Sequence, residues 1–221
     1  MNHLLTCDKL VLMEITWLGY SCFRLKGKQT AIVTDPFPPT IGYSLGKLTA
    51  DIVSISHLHP GHSYLQGVSG EPKVLSGPGE YEINNVPILG LTTYHDGEHG
   101  AQRGKNTIYI YEIDEVVICH LGDLGHVLAV EQVQKLGSVD VLLVPVGGVS
   151  TIDATQAAEI VRHVEPKIVI PMHYKTLVVK RELATVDRFL KEMGVKEAVP
   201  VPKLTVNKNS LPLTLQVVVL G

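Results

Sequence analysis

The chain has 221 residues, of which 45% are apolar and 19% charged, with a formal net charge of −3. That composition excludes a disordered chain and carries no basic surplus for nucleic acid. The length suits one large domain, assigned here to residues 13–221, behind a short N-terminal extension over residues 1–12.

Strand-like runs open the domain at 13–18, 22–26 and 30–35, separated by Gly19 and Gly27, and their alternation predicts a meander with one buried face. Three prolines make 35–43 a loop. The apolar run 51–56 then leads directly into SHLHPGH. Further strands are expected at 72–76, 86–94, 107–113 and 115–121, the last two as a hairpin turning at Asp114. GPGEYE (77–82) reads as a turn, from which Glu80 and Glu82 are secondary candidates to face a site. Beyond residue 122, helical spacing appears at 128–136 and again after Asp153, a plausible N-cap, through His163. A third helix is expected over 181–193, ended by Gly194. Buried strands are read at 139–146 and 167–172, and late strands at 204–206 and 215–220, with a loop at 208–212. Strands dominate the first half and strand–helix alternation the second, as two packed sheets with outer helices require, although another mixed α+β arrangement also fits.

Cys7, Cys22 and Cys119 are scattered and odd in number, so neither a disulfide framework nor a thiolate zinc site is indicated. No run reaches the roughly 20 apolar residues that span a bilayer. The N-terminus lacks the basic lead and small-residue cleavage site of a secretory signal. A cytoplasmic protein is expected. GYSLGKL (42–48) has the wrong spacing for a phosphate-binding loop.

The histidines point to chemistry. Three of the chain's 10 fall within 57–62, where a buried strand meets a Pro-Gly turn. Sheet proteins present ligands at such strand ends. His57 and His59 are two apart, so in extended backbone they leave the same face, and paired neutral imidazoles suit a borderline metal such as zinc. His95 in TTYHD, Asp123 in HLGDLGH and His173 in IPMHY each end another apolar run. Four strand exits bearing metal-competent side chains predict one shared site. His99 and Arg103 read as solvated loop residues that could reach an anionic substrate, and His3 and His163 as structural or surface residues.

In order, ITWLGYSCF, TDPF, SHLHPGH, TYHD, HLGDLGH and PMHY resemble the metallo-β-lactamase superfamily. The resemblance is greatest to its branch of small predicted metal-dependent hydrolases related to the ascorbate-6-phosphate lactonases. It implies an α/β fold, the αβ/βα four-layer sandwich of two mixed sheets with helices outside. It also implies one metal site from His57, His59 and His95, and a second from His62, Asp123 and His173. Asp123 would bridge both and orient the nucleophile, with Asp35 bracing the ligand loop. One or two Zn2+ ions are expected, with Mn2+ the alternative. The implied activity is hydrolysis of a small-molecule substrate, a metal-bound hydroxide attacking a carbonyl or phosphoryl centre.

The chain departs from the family pattern at Gly61, where the motif has an aspartate, and at Tyr20, where relatives have histidine. Gly61 removes a carboxylate from the second site, so the first is expected to hold its ion more tightly. Asp96 or His126 could supply a replacement ligand, or one ion could suffice. The alternative to an enzyme is a non-catalytic relative that keeps the fold and an ion to bind a small ligand or partner. Nothing in the sequence indicates an oligomeric state.

Overall fold

The computed structural model describes residues 12–221. The extension expected over residues 1–12 lies, save for Leu12, outside the described residues, as do His3 and Cys7.

Strands β1 (Met13–Gly19), β2 (Cys22–Lys26) and β3 (Ala31–Thr34) form the expected antiparallel meander. After the short β4 (Leu48–Thr49), β5 (Ile52–Ile55) lies parallel to β3. Beyond β6 (Val68–Ser69), which pairs with β4, β7 (Lys73–Ser76) lies parallel to β5. The second sheet begins with antiparallel β8 (Gly79–Ile83), β9 (Val86–Tyr94), β10 (Lys105–Ile113) and β11 (Val116–His120). It continues in parallel through β12 (Val141–Pro145), β13 (Ile168–Met172) and β15 (Gln216–Val217). Strand β14 (Leu204–Val206) returns to the edge of the first sheet beside β1. Helices α1 (Val130–Leu136), α2 (Ala154–Val164) and α3 (Val186–Glu192) complete the chain.

Side-chain alternation builds the layers. Along β10, Tyr109, Tyr111 and Ile113 meet Phe23, Leu25, Ile32 and Ile52 between the sheets. Ile108 and Ile110 point the other way, against Ala157, Ala158 and Val161 of α2 and Phe189 of α3. Each large apolar side chain fully buried in these layers contributes roughly 1.5–3 kcal/mol. Asp153 caps α2, accepting the Gln156 N–H at 2.9 Å while the Gln156 amide oxygen accepts the Asp153 N–H at 3.1 Å. The outer face of the first sheet is covered differently. Cys22, Val33, Val53 and Ile55 lie beneath Phe37, Ile41 and Val179, which come from loops. Pro36, Pro38 and Pro39 prevent this cover from becoming a regular helix. Cys22 and Cys119 are buried free thiols.

Three expectations need correction. GPGEYE is no isolated turn: Gly79–Ile83 is an edge strand paired with β9. Asn84 and Asn85, at φ 53° and 59°, supply the two-residue turn that closes this hairpin. Glu80 and Glu82 are exposed on it, away from the histidines. Helix α3 starts at Val186, not near 181, because residue 184 is held in non-helical bonds: Lys175 N–H donates to Ala184 O, and Ala184 N–H to Gly147 O. The last strand is limited to Gln216–Val217, with an isolated bridge between Val201 and Leu220. Among the described residues, no helix is long and apolar enough to cross a membrane.

Candidate metal centre

The ends of β3, β5, β9, β11 and β13 open on one rim, and the residues just beyond them are Asp35, His57–His62, His95, Asp123 and His173. This is where open α/β sheets place ligands. Bonds between the sheets lock the rim: Thr107 N–H donates to Ser56 O, and His173 N–H to Tyr20 O. The backbone is strained there, with Tyr20, Asp35 and His173 at φ 57°, 40° and 54°. Such non-glycine conformations cost about 1–3 kcal/mol each and cluster at functional sites. The turn carrying Asp123 must pass very close to the end of β9. A Cβ at Gly125 would overlap the backbone of His95 and Asp96, so only glycine fits without displacement.

Asp123 is the hub. Its Oδ2 lies 3.1 Å from His62 Nε2, 3.3 Å from His173 Nε2, 3.6 Å from His95 Nε2 and 4.0 Å from His57 Nε2. Ligands about 2.0–2.1 Å from a common tetrahedral ion sit about 3.3 Å from one another. Three overlapping sets have donor atoms within 4.8 Å of each other: His57–His59–His62, His57–His95–Asp123 and His62–Asp123–His173. The last is the second-site set that the resemblance implies. The implied first-site set is altered, because His59 falls with His57 and His62, not with His95. A local bond accounts for the difference: His59 Nδ1 accepts the Gly61 N–H at 3.2 Å.

Asp35 braces the cluster. Its Oδ1 accepts the Ser56 N–H at 2.7 Å, and its Oδ2 accepts the Ser56 hydroxyl at 2.6 Å and His62 Nδ1–H at 3.1 Å. Because the Ser56 hydroxyl donates to Asp35, it accepts from His57 Nδ1 at 2.9 Å. This hydrogen-bond network places a proton on Nδ1 of both imidazoles and turns both Nε2 atoms toward the cluster, as the atoms that would face a metal. Ser21 donates to the second oxygen of Asp123 at 3.2 Å.

The electrostatics follow from burial and charge. Burial opposes charging of His62, but Asp123 and Asp35 override it and push its pKa up. His57 has less compensation: burial, then repulsion from His62, hold it down at about 4. Desolvation works against the Asp123 carboxylate, yet His173 and His62 hold it well below the usual range. A cation entering the cluster would displace the proton that His62 otherwise takes.

The residues present fit a metal ion. His57 Nε2, His62 Nε2, His95 Nδ1 and both nitrogens of His173 are buried without a hydrogen-bond partner. Asp123 Oδ2 lies 4.0, 3.1 and 3.3 Å from the Nε2 atoms of His57, His62 and His173, and one carboxylate oxygen has too few lone pairs to satisfy all of them. Buried polar atoms left unsatisfied are costly, and a divalent ion would satisfy several at once.

Neither candidate replacement for the missing carboxylate joins the cluster. Asp96 spends its oxygens on four backbone N–H groups of its own loop. His126 Nδ1 faces Val127 O, and the ring lies outside the three donor sets. His99 is exposed, edge-on to Tyr94, and His163 is exposed on α2. A cleft of about 670 Å³ opens over the cluster and is lined by Tyr20, His57, His59, His95, Asp123, Arg103, Lys105 and Arg181, among others. Its volume suits a small molecule. Ser21, Ser56, Lys105 and Arg181 were missed as site residues. Ser21 and Ser56 lie inside the GYSCF and SISH strings, but nothing in the sequence marks Arg181.

A model of the beta-lactamase superfamily domain matches residues 14–173. The chain is 32% identical over 189 residues to a UPF0173 metal-dependent hydrolase from Methanoculleus marisnigri, spanning 74% of this chain and 82% of that one. A UPF0173 protein from Pyrococcus furiosus is 31% identical, with 74% and 84% covered. Among solved structures, a candidate Zn-dependent hydrolase of the metallo-β-lactamase superfamily from Thermotoga maritima is 41% identical, with a TM-score of 0.79 over 94% of this chain and 98% of that one. These likenesses establish the superfamily; they do not reach the relation to the ascorbate-6-phosphate lactonases. With the fold and the family model in agreement, this chain belongs to the metallo-β-lactamase superfamily.

Proposed function

We propose that the protein is a metal-dependent hydrolase acting on a small-molecule substrate in the cleft above Asp123. The observation that carries this reading is the set of buried, unpartnered imidazole nitrogens converging on one carboxylate oxygen. His62, His173 and Asp123 would hold one ion, and His57 and His95, with Asp123 shared, another. His59 would join by giving up its bond from Gly61. Zinc is the first choice for a site of neutral imidazoles with one carboxylate, and manganese the alternative. A bound ion supplies Lewis acidity that polarises the substrate oxygen and acidifies a water molecule. The chain itself does the positioning: Asp35 and Ser56 fix the imidazoles, while Asp123 supplies the negative charge about which the donors gather. A single domain over residues 13–221 and a reducing, cytoplasmic setting for the free thiols of Cys22 and Cys119 belong to the same reading.

Gly61 favours a second reading, a relative that keeps an ion without turnover. Metal analysis of gently purified protein, followed by a screen of esters, lactones and phosphodiesters, separates the two. The hydrolase reading expects bound metal and metal-dependent turnover of at least one class. Bound metal without turnover of any class supports the second reading, and protein that neither holds nor takes up metal removes both.

A further inference from the structure

Two loops at the mouth of the cleft carry cations that meet no acid. Residues 96–104 bring Arg103, the start of β10 adds Lys105, and residues 175–185 bring Arg181; all three line the cleft. Among the described residues none of them forms an ion pair, since the lysine bridges found are those of Lys203 and Lys208. Among the described residues Asp123 is the one carboxylate lining this cleft, and it is already surrounded by histidines. In a chain of net charge −3, three unpaired cations around one opening create a local field suited to an anion.

Exposed arginines and lysines are commonly just solvated, and charge alone would not make a site. Here, however, both loops are braced from within by a charged side chain. Asp96 accepts the N–H groups of Glu98 (2.8 Å), Gly100 (2.8 Å), Gln102 (3.0 Å) and Arg103 (2.7 Å). The other loop is tied by Lys175, whose ammonium donates to the carbonyls of Val179 (2.7 Å) and Arg181 (3.0 Å). The Arg181 guanidinium carbon then lies 5.9 Å from the centre of the Tyr20 ring. Donors held on braced backbone lose less freedom on binding. Guanidinium groups also match the planar edge of a carboxylate or phosphate with two parallel bonds.

We propose that Arg103, Lys105 and Arg181 form a subsite for an anionic phosphoryl or carboxylate group, placed beside the histidine–aspartate cluster. The subsite rests on the hydrolase reading only in treating that anion as part of a substrate. The test uses metal-loaded, full-length protein titrated calorimetrically with phenylphosphonate, benzoate and neutral benzamide. Wild type is compared with the Arg103→Ala/Arg181→Ala double variant and with the double lysine variant, Arg103→Lys/Arg181→Lys. At least one anion should bind about tenfold more tightly than benzamide, more weakly at high salt, and about tenfold less tightly to the alanine variant. The two anions tell phosphoryl from carboxylate recognition. The lysine variant should recover part of the affinity, and metal content and circular dichroism should not change. Equal affinity of wild type and alanine variant for the anions, or no preference over benzamide, overturns the subsite. Arginine-dependent anion binding by protein that takes up no metal upholds the subsite and removes the hydrolase reading. Metal-dependent turnover that ignores both substrate charge and the arginines does the reverse.

Discussion

The two halves of the histidine cluster are built to different standards. His62, Asp123 and His173 are buried, with His62 anchored on Asp35 and Asp123 on Ser21. His57 and His59 are half-buried and face the cleft, and His59 spends its Nδ1 on the backbone of Gly61. One half has rigidity but lacks a carboxylate at position 61; the other has access but a looser third donor. In this chain they differ in kind, and three substitutions test that difference.

The largest effect is expected at the shared residue. Asp123→Asn keeps the shape but removes the charge about which four imidazoles gather. Both halves should lose metal affinity by at least about a hundredfold, since outer partners alone are worth about 10–100-fold. Metal analysis after dialysis against a mild chelator checks this, and a variant that retains one full equivalent would show that the halves do not share Asp123.

Asp35→Asn should act unequally. It contacts His62 directly and His57 only through Ser56. An affinity loss of about 10–100-fold is expected, greater for the ion held by His62 than for the ion held by His57. Competition with a chromogenic chelator, resolved into separate equivalents, measures it. Equal losses would mean that the Ser56 relay is as stiff as the direct bond.

Gly61→Asp is the mildest change and bears chiefly on the buried half, which lacks a carboxylate. A Cβ there would lie 3.4 Å from His59 Nδ1 and 3.5 Å from Ile41 and Tyr20, ordinary contact distances, and Gly61 is not in the left-handed region. The variant should fold, and its second equivalent of zinc should bind several-fold more tightly, about 1 kcal/mol for an added anionic ligand partly screened by water. Titration with zinc, with folding followed by circular dichroism, decides it. No gain in affinity would show that the absent carboxylate is not what limits the second ion.

Most of the strands, and the donor-bearing residues that follow them, were legible in the sequence. Alternation and apolar runs are local properties, and a histidine after a buried strand is visible without knowing its neighbour. The edge strand Gly79–Ile83 was harder to read, because its glycine and glutamates look like a turn until β9 pairs with it. The grouping of the donors, and which of them are already engaged elsewhere, was set by the folded chain. It put His59 beside His62, engaged Asp96 with its own loop, and brought Arg181 to the cleft from a segment whose sequence reads as helix. Each of these rests on side-chain-to-backbone hydrogen bonds within a loop, whose geometry is set only when the fold places that loop, and such bonds leave no period and no motif in the sequence.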